Sequence, residues 1–325
     1  MTEHSRLGPG REFDLIRSVI GELPDSAALV VGPGDDAAVF PDGWVVSTDA
    51  SVENVHFQRA WLSPEEIGAR AVTVALSDLA AMAAEPIAVF VSLVMPKSDY
   101  DTFGPAVLSG AVRAGHHYRA ALGGGDTTRS DGPLTIAVSV FGRAARPVLR
   151  SGALPGDEVW VTGALGAAAA AVRAWSNGNP LHPEARAAFA RPTARIAEAL
   201  WLSDRVDLHA LIDLSDGLAS DAGHIAAASR VALRIATGSL PIHEAAGAHA
   251  DAVRLALTGG DDYELCCVAG PGTIGRVQRE FEQLFRLGLT RVGVVEPGDG
   301  VHCVDDNGRA LAEPLTGFDH FADTP

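Results

Sequence analysis

The chain of 325 residues contains a single lysine, Lys97, beside 24 arginines. A Walker phosphate-binding loop needs Gly-Lys-Ser/Thr, and a protein kinase needs a lysine in a Val-Ala-Ile-Lys strand, whereas Lys97 follows Pro96. Both kinds of nucleotide site are therefore excluded. Any nucleotide chemistry in this chain has to use carboxylates, metal ions and arginine.

Cysteines and long apolar runs are also scarce. Cys266, Cys267 and Cys303 are an odd number without the spacing of a zinc site, and the first two lie in an apolar run, which indicates core thiols rather than ligands or disulfides. No apolar run reaches the ~18 residues of a membrane span. The polar stretch 1–11 lacks the apolar core of a secretion signal. We therefore expect a cytoplasmic protein.

Negative charge dominates the composition. The net charge of −16 argues against nucleic acid or an anionic membrane as a main partner. It leaves room for an anionic ligand, because a bound metal can reverse the local field. A hydrophobic content of 47% and a charged content of 20% indicate a globular protein with a substantial core.

Alternating strand and helix patterns predict an α/β fold, with α+β character in the N-terminal half. Strands are predicted at 38–40, 44–48, 89–94, 134–141, 159–162, 208–212, 263–268, 290–295 and 301–304. Helices are predicted at 12–23, 64–84, 100–122, 164–175, 217–229 and 272–286. A turn-rich stretch near 150–157 separates two segments, so we expect an N-terminal domain at 1–145 and a C-terminal domain at 146–325.

Short acidic islands beside glycines or hydroxyl residues are the main chemical feature. They are Gly34-Asp35-Asp36, Ser47-Thr48-Asp49, Ser77-Asp78, Gly125-Asp126, Asp213-Leu214-Ser215-Asp216 and Gly260-Asp261-Asp262. Several follow apolar runs, so the fold would gather carboxylates that repel one another unless cations join them. The islands predict several hard metal ions, with Mg²⁺ the first choice, and hence phosphate chemistry.

Individual islands differ in strength. Asp78 lies among apolar residues, where burying a carboxylate costs much free energy unless it is paired or bound to a metal. The segment 212–217 brings two carboxylates and a hydroxyl from a strand end to a helix N-terminus, which is an anion-binding arrangement. Three glycines before Asp126 exceed the one that a helix end needs, and they would allow close approach to phosphate or metal. Arg150 either binds phosphate or is an ordinary surface arginine. A histidine in the position of His56, taken alone, is more often a loop residue without a function.

Together these motifs resemble the thiamine-monophosphate kinases, of the superfamily that also contains aminoimidazole ribonucleotide synthetase and selenophosphate synthetase. The matching segments run in family order over nearly the whole chain. They are Gly34-Asp-Asp-Ala37, Ser47-Thr-Asp49, Asn54-Val-His56-Phe57, Ser77-Asp-Leu-Ala-Ala-Met82, Gly124-Gly-Asp-Thr-Thr128, Arg150-Ser-Gly-Ala153, Pro155-Gly-Asp157, Ile212-Asp-Leu-Ser-Asp-Gly217, Gly259-Gly-Asp-Asp-Tyr-Glu-Leu265 and Gly317-Phe-Asp-His-Phe321.

The resemblance implies Mg²⁺-assisted, direct in-line transfer of the ATP γ-phosphoryl group to thiamine monophosphate, in a homodimer whose N-terminal sheets pair. It implies that ATP binds between two domains. The implied metal ligands are Asp36, Ser47, Thr48, Asp49, Asp78, Asp126, Asp213 and Asp216. Gly125, Asp126, Arg150 and Ser215 are implied to bind ATP, with Asp213, Asp126 and Arg150 acting on the reacting phosphates. His56, Asp261 and Phe318 are implied to face thiamine monophosphate.

Two positions depart from the family pattern, because Asp261 stands where glutamate is common and Phe318 where tyrosine or tryptophan is frequent. The alternatives are another ATP-using enzyme of the superfamily, such as aminoimidazole ribonucleotide synthetase, and a non-catalytic nucleotide- or metal-binding regulator. Selenophosphate synthetase would need an early cysteine or selenocysteine, whereas the first cysteine here is Cys266. The hydrogenase-maturation relative uses a C-terminal cysteine, whereas this chain ends at Pro325.

Overall fold

The computed structural model describes Gly8, residues 10–20, 27–247 and 249–311, and Leu315, Gly317 and Phe318. The elements before residue 145 are α1 (Arg11–Ile20), β1 (Ala38–Val39), β2 (Trp44–Val52), α2 (Pro64–Ala81), β3 (Glu85–Met95), α3 (Phe103–His117), β4 (Ala121–Arg129) and β5 (Thr135–Arg143). The later elements are β6 (Glu158–Thr162), α4 (Ala167–Asn177), α5 (Pro183–Ala190), α6 (Ile196–Arg205), β7 (Leu208–Asp213), α7 (Leu218–Ser229), β8 (Ala232–Ala236), α8 (Glu244–Gly247), α9 (Ala252–Thr258), β9 (Leu265–Ala269), α10 (Thr273–Phe285), β10 (Leu289–Glu296) and β11 (Gly300–Val304).

The first sheet has the strand order β1-β2-β5-β3-β4 and is antiparallel except between β3 and β4. Alternate residues of β3 and β5 are buried beneath α2 and α3, as the two-residue period of a half-covered sheet requires. Helix α2 begins with a capping box in which Ser63 and Glu66 bond to each other's backbone N–H, and Pro64 occupies its first turn. This helix carries Asp78 in its last turn, so its start and its packing fix the position of that carboxylate.

The prediction of a helix over 100–122 ended by three glycines is wrong in its C-terminal part. Helix α3 ends at His117, and the glycines belong to β4, the exposed edge strand that runs parallel to β3. A Cβ atom on Gly125 would lie 1.8 Å from the carbonyl oxygen of Val91. Pairing of β4 with β3 therefore requires glycine at this position, whatever else the glycine does.

The second sheet has the order β11-β8-β10-β6-β9-β7 and is antiparallel except between β11 and β8. Helices α5, α6, α8 and α9 and strand β8 were not predicted from the sequence. The mixed α/β class is confirmed, with the two sheets lying on either side of residue 145 in the chain. The division into two domains stays a prediction, because the larger hydrophobic cluster contains Val45 and Leu76 of the first half and Phe189 and Phe281 of the second. Among the described residues, no helix is both long and apolar enough to cross a membrane.

Candidate active site

Three carboxylates from distant parts of the chain meet in one cluster. Asp36 precedes β1, Asp78 lies near the end of α2, and Asp213 ends β7. One oxygen from each lies within 4.8 Å of the others. The first two residues belong to the N-terminal half and the third to the C-terminal half, so the cluster forms only when the two halves pack together.

Burial and mutual repulsion raise the pKa values of two of these carboxylates, Asp213 and Asp78. The pKa of Asp213 rises from 3.8 to about 7, first because of burial and then because of the charge of Asp36. The pKa of Asp78 rises well above its usual value through burial and then through Asp213. Ser47 opposes this rise by donating its hydroxyl hydrogen to Asp78 Oδ2 at 2.5 Å. Without a cation, the cluster therefore tends to hold protons near neutral pH.

Arg150 is the buried cation of the cluster. Its Nε and Nη2 atoms donate to the two oxygens of Asp36 at 3.0 and 2.7 Å, and its backbone N–H donates to Asp35. The pKa of Asp35 still rises to about 6, through burial and then the charge of Asp36, although Arg150 lowers it. One guanidinium faces several carboxylates, so the centre keeps an excess of negative charge that a metal ion can neutralise.

Strand β2 presents the neighbouring polar residues Ser47, Thr48 and Asp49 to two different faces. The predicted strand end at Thr48 is wrong, because β2 continues to Val52. Ser47 contacts Asp78, and Asp49 shares its face by the two-residue period. Thr48 points to the opposite face, where its hydroxyl lies 3.2 Å from Ser139 Oγ. The hydroxyl of Thr48 is therefore directed away from the carboxylate cluster, but the residue lines the adjoining cavity, and its role as a metal ligand stays a prediction.

The loop after β7 is held by a residue that the sequence analysis missed. Asp221 is buried in the first turn of α7, and its Oδ2 accepts the backbone N–H of both Asp216 and Gly217 at 3.1 Å. Burial, followed by the charges of Asp216 and Asp213, raises its pKa well above the usual value. An acidic residue five positions after Asp216, in a helical first turn, was the available signal. Asp221 fixes the backbone that carries Ser215 and Asp216.

A cavity of about 700 Å³ adjoins the cluster, and Asp49, Asp78, Arg150, Asp213, Ser215 and Asp216 line it. Two groups of ring side chains also line it. Phe13 and His224 are in ring contact at 4.3 Å between centroids. Phe189 and Tyr263 lie against the buried Arg70, and Trp61 packs edge-on against Phe189. The sequence analysis missed both groups, because their members are far apart in the chain.

The three predicted substrate residues all line this cavity. His56 Nδ1 accepts the backbone N–H of Val52 at 3.0 Å, which ties the ring to the end of β2. Asp261 forms an ion pair with Arg70. The backbone N–H of Phe318 donates to the carbonyl oxygen of Asp216 at 3.2 Å, while its ring is half exposed.

Asp126 and Gly125 lie apart from the other predicted residues of the same chain. Paired residues run across the sheet from Ala50 through Ala137 and Ser92 to Asp126, which is three strand spacings or roughly 14 Å. Asp126 shares the outer face with Ser92, whereas α2 covers the inner face. Within one chain, Asp126 therefore does not join the cluster of Asp36, Asp78 and Asp213.

The donor set fits Mg²⁺. The cluster offers only oxygen donors, which are the ligands that this hard cation prefers. Burial and the neighbouring carboxylates raise the pKa values of Asp78 and Asp213, and a bound cation would offset that repulsion. Cysteine and histidine, which favour softer metals, are absent from this trio.

Comparison with known proteins agrees with the geometry. Residues 34–144 match the family described as AIR synthase related protein, N-terminal domain. Thiamine-monophosphate kinase of Salmonella typhimurium is 36% identical over 327 residues, covering 96% of this chain and 98% of the relative. The crystal structure of thiamine-monophosphate kinase from Stenotrophomonas maltophilia is also 36% identical, with a TM-score of 0.76 and coverage of 94% and 98%.

The structure of AaThiL complexed with AMPPCP and TMP is 29% identical, with a TM-score of 0.80, and the match covers 96% of this chain and 97% of that one. The similarity thus extends over nearly the whole chain. It confirms the resemblance drawn from the ordered acidic motifs. This chain belongs to the thiamine-monophosphate kinase family.

Proposed function

We propose that this enzyme transfers the γ-phosphoryl group of ATP to thiamine monophosphate, giving thiamine diphosphate and ADP. The observation that carries the proposal is the convergence of Asp36, Asp78 and Asp213 beside a cavity lined by ring side chains. Family membership supports the same reaction. The rival superfamily enzymes and the non-catalytic regulator have no comparable support.

The acidic residues have the role of holding Mg²⁺. Asp36, Asp78 and Asp213 form the first group of ligands, and Asp49, Asp216 and the hydroxyl of Ser47 lie on the same cavity or cluster. Bound Mg²⁺ supplies the positive charge that offsets the repulsion between the two phosphate groups. The carboxylates hold their positions without metal because Arg150 and Ser47 bond to two of them.

The nucleotide phosphates are bound by Arg150, Ser215 and the turn that opens α7. Arg150 is directed into the centre by its bidentate contact with Asp36, and a guanidinium pairs well with phosphate oxygens. The N-terminus of α7 follows Asp216 directly and adds the positive end of a helix dipole. Asp221 keeps this turn in place by accepting two backbone N–H groups.

The acceptor phosphate reacts without a general base or a phosphoenzyme. A phosphate monoester is already anionic near neutral pH, so no proton has to be removed before attack. The chain then has to orient the two substrates in line and exclude water, which is what positioning contributes to phosphoryl transfer. His56, Asp261 and Phe318 hold the thiamine part, as the family motifs imply.

We infer a homodimer from the outer face of the first sheet. Trp44 and Phe90 each expose 37% of their surface there, and the edge strand β4 is exposed along its whole length. An unpaired edge beside apolar side chains favours joining with a second copy. Because Asp126 lies too far from the cluster of its own chain, we infer that Gly125 and Asp126 serve the active site of the partner subunit. Domains at 1–145 and 146–325 and a cytoplasmic location remain part of this proposal.

A panel of acceptors tests the proposed function. The protein is incubated with ATP and Mg²⁺ and with thiamine, thiamine monophosphate or formylglycinamidine ribonucleotide, the acceptor of the rival synthetase, and the products are separated by chromatography. We expect thiamine diphosphate and ADP from thiamine monophosphate alone. Product from the ribonucleotide, or nucleotide binding without turnover on any acceptor, would contradict the proposal.

A further inference from the structure

Arg70 is a buried arginine of α2 in the wall of the cavity, and no motif analysis singled it out. It exposes 5% of its surface, pairs with Asp261 through Nη2, and donates from Nη1 to the carbonyl oxygen of Phe189 at 3.1 Å. Its guanidinium lies over the rings of Phe189 and Tyr263, with centroid distances of 4.3 and 5.5 Å. A buried cation with this many partners has one orientation.

The two side chains that hold Asp261 act on the same oxygen. Arg70 Nη2 donates to Asp261 Oδ1, and the Tyr263 hydroxyl donates to Oδ1 at 2.9 Å. In the described part of the chain, no residue donates a hydrogen bond to Oδ2. The Asp261 side chain remains 29% exposed and lines the cavity. Two donors on Oδ1 stop the carboxylate from rotating and leave Oδ2 as the acceptor for a ligand.

The backbone around Asp261 is also held in a fixed conformation. Gly260, Asp261 and Tyr263 have φ angles of +65°, +61° and +50°. The backbone N–H groups of Asp261 and Tyr263 donate to the carbonyl oxygens of Ser215 and Leu214 at 2.7 and 2.8 Å. Left-handed conformations at two non-glycine residues persist only when the surroundings impose them, and they concentrate at functional sites.

We propose that Arg70 and Tyr263 are positioning residues that lock Oδ1 of Asp261 and thereby present Oδ2 to the amino group of the substrate's aminopyrimidine ring. This inference rests on the proposed function, which supplies the substrate. The amino group donates an N–H to a carboxylate oxygen, which is the pairing of a charge-assisted hydrogen bond. The ring itself finds apolar walls in Trp61 and Phe189.

Binding of two ligands to variant proteins tests the proposal without depending on turnover. The ligands are thiamine monophosphate and oxythiamine monophosphate, in which an oxygen replaces the amino group, and calorimetry gives both dissociation constants. The wild-type protein should prefer thiamine monophosphate about 10-fold or more, as expected for a hydrogen bond to a charged group. Tyr263→Phe and Arg70→Lys should each reduce this preference about 3- to 10-fold, while the affinity for ATP stays within about twofold.

Matched controls separate positioning from folding. Arg186→Lys changes an arginine that also pairs with α2, through both oxygens of Glu66, but does not line the cavity. Tyr118→Phe removes a partly buried hydroxyl that accepts the backbone N–H of Ala194. Neither control should change the preference between the two ligands. Tyr263→Phe keeps the aromatic ring, so it tests the proposal even if Arg70→Lys fails to fold.

The outcomes separate this proposal from the proposed function. The positioning role would be overturned if the variants kept the full preference for thiamine monophosphate over oxythiamine monophosphate. It would also be overturned if they lost affinity for both of these ligands and for ATP equally. A preference that the wild-type protein shows and the two variants lose would uphold Arg70 and Tyr263, even if no thiamine diphosphate forms; the missing product would then contradict the proposed reaction alone. A wild-type protein that binds neither thiamine compound would overturn both.

Discussion

Asp213→Asn should make the metal-free protein more stable at high pH while abolishing turnover. The pKa of Asp213 is raised from 3.8 to about 7, so the folded state holds a proton that the unfolded state releases as the pH rises above about 4. Stability therefore falls as the pH rises, until Asp213 ionises in the folded state near pH 7. Asparagine has a similar shape and no charge, so the stability of the variant does not fall with pH for this reason.

The size of the effect follows from the shift. A shift from 3.8 to about 7 corresponds to about 4 kcal/mol in all, of which about 2–3 kcal/mol falls between pH 5 and pH 7 at ~1.4 kcal/mol per unit. The free energy of unfolding of Asp213→Asn, relative to the wild type, should therefore increase by about this amount from pH 5 to pH 8. Asp78 shares the cluster and its pKa is also raised, so its own titration reduces the difference.

Urea unfolding in the presence of a chelator measures this difference at both pH values. With excess Mg²⁺ at pH 8 the order should reverse, because a ligand that binds only the folded wild type stabilises it and the variant has lost a metal ligand. Turnover of the folded variant should drop by orders of magnitude. A difference that is independent of pH, or a variant that keeps near-normal turnover, would refute the assignment of Asp213 to a repulsive metal-binding cluster.

Three further predictions concern substrate, mechanism and assembly. Phe318→Ala should raise the KM for thiamine monophosphate about 2- to 30-fold by removing a ring face that attracts the cationic thiazolium, with a much smaller change for ATP; equal changes in both constants would leave Phe318 a packing residue. Transfer from ATP with a chiral γ-phosphate should invert configuration, and net retention or a trapped phosphoprotein would contradict direct transfer. Asp126→Asn and Asp213→Asn should each be inactive as homodimers. If Asp126 serves the partner subunit, co-refolding the two variants together should restore up to about a quarter of wild-type turnover. About half of the dimers are then mixed, and one of the two active sites in each mixed dimer is intact. No recovery in verified mixed dimers would place Asp126 in its own subunit's site.

Local sequence signals predicted the residues whose surroundings are local. Asp78 was recognisable because a carboxylate in an apolar helix needs a partner, and the structure places it in the cluster. Asp213 was recognisable at the end of an apolar strand, and it ends β7. The order of strands and helices was largely predictable for the same reason, since hydrophobic periodicity is a short-range pattern.

Features that depend on register or on long-range pairing were not predictable. Ser47 and Thr48 point to opposite faces because they are neighbours in a strand, but which of them faces the carboxylates depends on how β2 pairs with β5, which the strand's own sequence does not specify. The glycines before Asp126 were predicted to end a helix, but they lie in β4, and Gly125 is required by the close approach of β4 to Val91 of β3. The ion pair of Arg70 and Asp261 joins residues 191 positions apart, so the sequence around either residue does not predict its partner.

The most direct test of the account follows the γ-phosphoryl group itself. The enzyme is mixed with ATP labelled at the γ-phosphorus, Mg²⁺ and thiamine monophosphate in a single turnover, with Asp213→Asn as the control. The account predicts that the label appears in the terminal phosphate of thiamine diphosphate with the wild-type protein and stays in ATP with the variant. Label in inorganic phosphate or on the protein, with no labelled thiamine diphosphate, would contradict it.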